Sequence, residues 1–409
     1  MNGKININEP NQGKSADSIA FLSAGFRPFF LFAGLYAVLP VFAWVAAFLG
    51  DGNTPGEFAP SYWHGHEMVF GFVSAAATGF LLTAVPNWTR TLPFSGKPLT
   101  VLVLIWFCGR LAMWFGWPAG PFFVAIVDLT LIPALGIYIG RRLVAHRVRR
   151  NYIVLVVLSI LFLANLMMHL ENMGMLTDSA GLGLNLGIYA VVFLVAMISG
   201  RVIPGFTANA LHRRGIDADT QTPTKVAFVV ISSLILAAAF DLFGGDSEIA
   251  HSLAGGMAGL VSLALLVRMW RWKTRMILGD PIVWVLHVGH FWLVIGFALL
   301  AGAHFNDGMM RDAGLHALTT GAIGTMIIGM MTRAGLGHSG REIKASGAIT
   351  AAYLMIITGA ALRTVAAVAQ AELPGDGYSI LIGVAGLLWA GGFVVFVSVF
   401  WPILTRPKI

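Results

Sequence analysis

Residues 151–170 read NYIVLVVLSILFLANLMMHL, one apolar run closed by Asn165 and His169, a helical turn apart. A helix crossing the hydrocarbon layer needs about 20 mostly apolar residues, each adding about 1.5 Å. The run is continuous rather than alternating, so it predicts a spanning α-helix and excludes a transmembrane β-strand. Read outward in both directions, the chain repeats this pattern. Twelve segments fall near 29–49, 63–86, 98–116, 119–140, 151–170, 180–203, 224–242, 249–267, 281–302, 313–332, 346–367 and 378–402. The loops between them are too short for a soluble domain. The expected fold is an all-α polytopic membrane bundle: residues 1–26 form a polar cytoplasmic tail and residues 27–409 a single transmembrane domain.

Composition agrees. Of the 409 residues 57% are hydrophobic and 11% charged, whereas soluble proteins carry about 25% charged residues. Too few charges exist to coat soluble surfaces. The single cysteine, Cys108, excludes internal disulfides and cysteine metal clusters, leaving metal chemistry to eleven histidines. The first 20 residues lack a basic stretch followed by an apolar core, so no cleavable signal peptide is expected.

The net charge of +7 raises the question of nucleic acid, and the placement of the charges answers it. With the N-terminus in the cytoplasm and segments alternating, all 26 Lys and Arg except Arg110, Arg311 and Arg363 fall on the cytoplasmic side. The opposite loops hold mainly acids, among them Asp51, Glu57, Glu171, Asp178, Asp241, Asp307 and Asp312. Such asymmetry marks an even number of spans with both ends inside, and no nucleic-acid partner is needed to explain the basic excess. Small residues at helical spacing, as at Gly71, Ala75 and Gly79, read as packing faces.

Ionisable groups inside spans point to function, because lipid penalises them. His64, His66, His169, His251, His304 and His316 lie at or near the outer helix ends, and His287 and His290 lie roughly 9–14 Å inside the ninth segment. Trp63-His64-Gly65-His66-Glu67-Met68 is the densest cluster. Histidines two apart project about 200° from each other on a regular helix, although Gly65 at an N-terminal turn loosens that geometry. Glu67 suits the holding of the ring N–H of a ligating imidazole from a neighbouring turn. Asn165 shares a face with His169, and His287 shares one with His290. His251 and His304 read as solvated. Arg110 and Asp128 lie at similar depth in consecutive antiparallel helices and read as an ion pair, or alternatively as part of a proton or anion path. Arg201 and Arg333 anchor cytoplasmic helix ends or pair with a propionate or other anion. Imidazoles from several helices, without thiolates, are what haem or copper requires. No His-Glu-x-x-His run supports an intramembrane zinc protease.

These strings resemble the NnrS family. Phe26-Arg27-Pro28-Phe29-Phe30, Trp63 to Met68, Leu81 to Trp88, Arg201 to Asn209, and His316 to Met326 continuing into Met331-Thr332-Arg333 and Leu336 to Arg341 carry the resemblance, which covers about Phe26 to Arg341. It implies a bacterial inner-membrane protein of twelve helices that binds haem and copper and is associated with nitric oxide. The family's histidine motifs map onto His64, His66, His169, His287, His316 and His338, whereas an aromatic residue is more usual at His290.

The leading reading is a haem- and copper-binding protein of the nitric oxide response, in contact with lipid and taking nitric oxide as its small ligand. Its haem b is expected to involve His287, with His290, Arg201, Arg333 and Asn165 as further cofactor-binding residues. Copper is expected on His64, His66, His169 and His316, converging at one outer level with Glu67. Redox turnover would need an electron donor, and the sequence shows no entry route. A secondary transporter would instead need paired broken helices, yet Pro86 and Pro204 fall at segment ends. A copper-handling or assembly protein is the remaining alternative.

Overall fold

The computed structural model describes residues 20–50, 52–306, 309–370 and 372–409. Residues 1–19 of the expected tail, together with Asp51 and Asp307, lie outside the described residues. Among the described residues the chain forms helices and no strand. Lipid offers backbone groups no hydrogen-bond partner, and a helix satisfies them internally. Twelve helices are long and apolar enough to span: α1 (Phe26–Leu49), α2 (Pro60–Thr89), α3 (Lys97–Phe115), α4 (Pro121–Ala145), α5 (Arg149–Asn172), α6 (Ser179–His212), α7 (Thr224–Phe243), α8 (Glu248–Trp270), α9 (Pro281–Ala303), α10 (Arg311–His338), α11 (Gly347–Val368) and α12 (Gly377–Thr405). Each expected segment overlies one of them.

Sequence neighbours pack against each other, notably α5 on α6, α7 on α8 and α11 on α12, while α12 returns to α1. There Arg27, near the start of α1, donates hydrogen bonds to the carbonyls of Leu404 (3.0 Å) and Arg406 (2.5 Å) at the end of α12. A cation at a helix C-terminus meets free carbonyls and the negative end of the dipole. The contact brings both ends of the helical region to the same end of the bundle. Large apolar side chains such as Val101, Leu104, Leu163, Ile235 and Leu387 are exposed around the outside, where lipid contact stabilises them.

The most buried spans are α2, α9 and α10, which also carry most of the motif histidines. Two of these three widen at one place. Glu67–Val73 in α2 and Ala317–Ile323 in α10 are π-helical, each beginning directly after a motif histidine, His66 or His316. A π turn shifts the hydrogen-bond register by one residue and rotates the remainder of the helix, a distortion common at functional sites. Neither helix is broken. Pro204, expected just beyond the sixth segment, lies inside α6, whose 34 residues would span about 51 Å and run past the hydrocarbon layer.

Candidate metal centre

Five helices, α1 to α5, close around one buried group. Pro60 opens α2 at its first turn, and the chain is regular α-helix through His66. His64 and His66 therefore keep opposite faces, despite Gly65 between them. His66 turns toward α4 and α5. Its Nε2 lies 2.8 Å from Asn165 Oδ1 and 3.2 Å from Asp128 Oδ2, and its Nδ1 lies 2.8 Å from Glu67 Oε1. His169 Nε2 is 3.0 Å from the same Asp128 oxygen, to which Asn165 also donates at 2.7 Å. The predicted Arg110–Asp128 pair forms, and Arg110 also donates to Glu67 Oε1 at 2.7 Å. Tyr36 donates to the other Glu67 oxygen, and Trp114 donates to Tyr36 at 2.7 Å. Gly71 makes room for this crowding: a Cβ there would stand 2.5 Å from the Tyr36 ring and 3.1 Å from Arg110 NH1. Its carbonyl, in the π turn, accepts from Trp106 Nε1 at 3.1 Å.

Proton counting shows what this site lacks. Both ring nitrogens of His66 face oxygen acceptors, but a neutral imidazole carries one N–H. The two carboxylates also outnumber the one guanidinium, in a bundle where uncompensated charge is costly. A second proton or a metal ion resolves both conditions. The ligand atoms of His66, Asp128 and His169 all lie within 4.8 Å of one another. Their 3.0 and 3.2 Å nitrogen–oxygen spacings approach the roughly 3.3 Å between two ligands of one tetrahedral ion with bonds near 2.0 Å. A two-nitrogen, one-oxygen donor set suits copper, zinc or iron. Copper therefore fits these residues.

On the other face of α2, His64 stacks on Trp44, with ring centres 5.0 Å apart. Its Nδ1 is buried and has no hydrogen-bond partner among the described residues. His64 and His316 line one cavity of about 390 Å³, together with apolar residues including Phe72 and Trp389, and with Arg363 and Tyr378. His316 Nδ1 donates to the Asp312 carbonyl at 2.7 Å, which leaves Nε2 as the ring atom with a lone pair. An apolar chamber with a tethered imidazole, a second imidazole and a cation fits a haem. The four histidines expected together thus form two pairs on opposite sides of α2, His66 with His169 and His64 with His316.

His287 and His290 have different surroundings. Thr207 donates to the Ile203 carbonyl, so its oxygen accepts the His287 Nε2 proton at 2.9 Å, and Thr274 donates to Nδ1 at 2.9 Å. Ser199 faces His290 Nδ1 at 3.1 Å, and Nε2 faces the Leu265 carbonyl at 3.4 Å. Trp272 packs on both rings. The Arg268 guanidinium lies beside Gly200, next to Ser199, and opposes a further cation there. Every ring nitrogen of this pair has a protein partner, so neither histidine presents a free donor atom to haem iron in this arrangement.

Arg201 and Arg333, expected near that pair, instead line a separate cavity of about 560 Å³ with Arg150, Trp88, Phe206 and His338, at the end that carries the termini. Arg333 lies over the Phe206 ring at 3.6 Å, and its Nη1 is buried without a partner among the described residues. Asn165, also expected as a cofactor residue, belongs to the Asp128 group. Glu67 holds the adjacent His66 rather than an imidazole from another turn. The sequence reading missed Tyr36 and Trp114, which give no motif signal, and saw Asp128 only as an ion-pair partner. Its one visible signal was its depth beside Arg110.

A twelve-span helical membrane protein with buried imidazole–carboxylate chemistry is the class these features define. The chain belongs to the NnrS family, whose model, described as NnrS protein, matches residues 20–408. A comparison with curated proteins returned no match.

Proposed function

We propose that this is a haem- and copper-binding protein of the bacterial inner membrane acting in the nitric oxide response. One observation carries the proposal: two imidazole pairs stand on opposite faces of α2, one in a carboxylate group short of a cation and one beside an apolar cavity. In this reading His66, His169 and Asp128 hold copper, Glu67 fixes the His66 tautomer, and Arg110 and Asn165 orient Asp128. His316 would hold haem b through Nε2, with His64 across the cavity and Arg363 placed to pair with a propionate. Haem iron held there would supply nitric oxide binding, and copper would supply a one-electron centre. The chain's own contribution is to bind, orient and keep dry.

A second location for the haem is favoured by the cavity of Arg150, Arg201, Arg333 and His338, where three guanidiniums suit two propionates. Metal analysis of purified variants decides. We expect His316→Ala to lose the Soret band and keep its copper, and His169→Ala to do the reverse. Haem retained in His316→Ala but lost in Arg333→Ala would move it to the second cavity. Retention of both metals in both histidine variants would overturn the assignment. We also propose cytoplasmic termini, from the basic-residue asymmetry. A reporter fused after Ile409 that is active only in the periplasm would reverse that orientation.

A further inference from the structure

At the end of the bundle opposite the termini, α7, α8, α9 and the start of α10 form a second polar group. Asp241, near the end of α7, is almost fully buried. It accepts two hydrogen bonds from Arg311 (2.6 and 3.0 Å) and one from Tyr189 (2.9 Å), and His304 Nε2 lies 3.1 Å from its Oδ1. The guanidinium balances the carboxylate, and Arg311 and Tyr189 occupy both of its oxygens, so Asp241 acts as a fixed acceptor rather than a free ligand. A ring nitrogen this close to a carboxylate oxygen is the one that carries the proton, which leaves the lone pair on Nδ1. The His304 side chain is 6% exposed, and that Nδ1 is buried without a partner among the described residues.

His251 stands next to it, exposed on α8, with ring centres 4.4 Å apart and planes at 76°. Gly255, one turn along the same face of α8, permits this approach, since a Cβ there would stand 2.8 Å from His304 Cβ and from the Phe305 ring. Two imidazoles bound cis to a tetragonal ion, with metal–nitrogen bonds near 2.0 Å, have ring centres about 4.5 Å apart. A carboxylate behind one of them completes the arrangement that orients metal-bound histidines. Burying a lone pair without a partner has a cost that metal coordination removes.

We propose that His251 and His304 form a separate metal site of the Cu2+ class at this end of the bundle, oriented by Asp241 and open to water through His251. Water completes the ion's coordination. This site shares no residue with the His66 group and does not depend on the haem and copper reading.

The test is Cu2+ titration of untagged full-length protein in detergent after a chelator wash, read by bound copper and by nitrogen coupling in electron paramagnetic resonance. We expect one added equivalent in the native chain, retained in His169→Ala and lost or weakened at least tenfold in His251→Ala. The exposed His251 makes that variant a mild one for folding. Asp241→Asn is expected to weaken the site about 10–100-fold. Titrations of His251→Ala and native protein that superimpose would overturn the proposal, whatever metal the His66 group carries.

Discussion

His66 with His169 and His287 with His290 are both buried histidine pairs, yet they differ in what surrounds them. Around His287 and His290 the neighbours are hydroxyls, a backbone carbonyl and an indole. Each ring nitrogen meets a partner that suits a neutral imidazole. Around His66 the neighbours are two carboxylates, an amide oxygen and a guanidinium, and a neutral imidazole cannot satisfy them all. Burial therefore does not separate an imidazole that can take a metal from one whose partners are all within the protein. The proton count of the surroundings does. One pair has a protein partner for every ring nitrogen, and the other needs a second proton or a metal ion.

The sharpest way to break this contrast is Asp128→Ala. Asp128 links Arg110, Asn165 and His169, and its loss leaves the buried Arg110 with a single carboxylate partner. Removing one member of a buried ion pair costs about 3–5 kcal/mol, so a large fall in thermal stability in detergent is expected, together with loss of copper. An unchanged melting temperature would show that the group does not act as a unit.

Glu67→Gln has a smaller expected effect. It keeps an acceptor for His66 Nδ1 but removes the charge that holds it, and copper affinity is expected to fall about 10–100-fold. His290→Gln, the matching change in the other pair, is expected to leave copper and haem content unchanged. Equal copper losses in the two variants would erase the distinction.

The smallest expected effect is that of Thr207→Val, which leaves the His287 Nε2 proton without its acceptor. An unsatisfied buried donor costs about 1–3 kcal/mol, visible as a lower melting temperature with both metals retained. Loss of haem from this variant would draw His287 back into the cofactor site.

Much of the site was legible residue by residue. His64, His66, Glu67, His169, Asn165 and His316 stand out because polar groups at the ends of apolar runs carry their own signal. Their grouping was not legible. His64 and His66 lie on opposite faces because α2 stays regular through residue 66 and widens only afterwards, at Glu67–Val73. His304, read as solvated, is buried because Gly255 lets α9 close on α8.

By itself the sequence determined the twelve spans, their even number and the sidedness of their charges. Each of these depends on transfer of a local stretch between water and lipid, and a stretch carries that free energy wherever its neighbours lie. Only the tertiary structure decided which histidines share an oxygen, which meet hydroxyls and which line a cavity. Those outcomes depend on the rotation of each helix about its axis and on contacts between residues far apart in the chain, such as His66 with Asp128 and Asn165. Close packing at small residues and two shifted helical turns set those rotations, and the apolar pattern of any single span leaves them open.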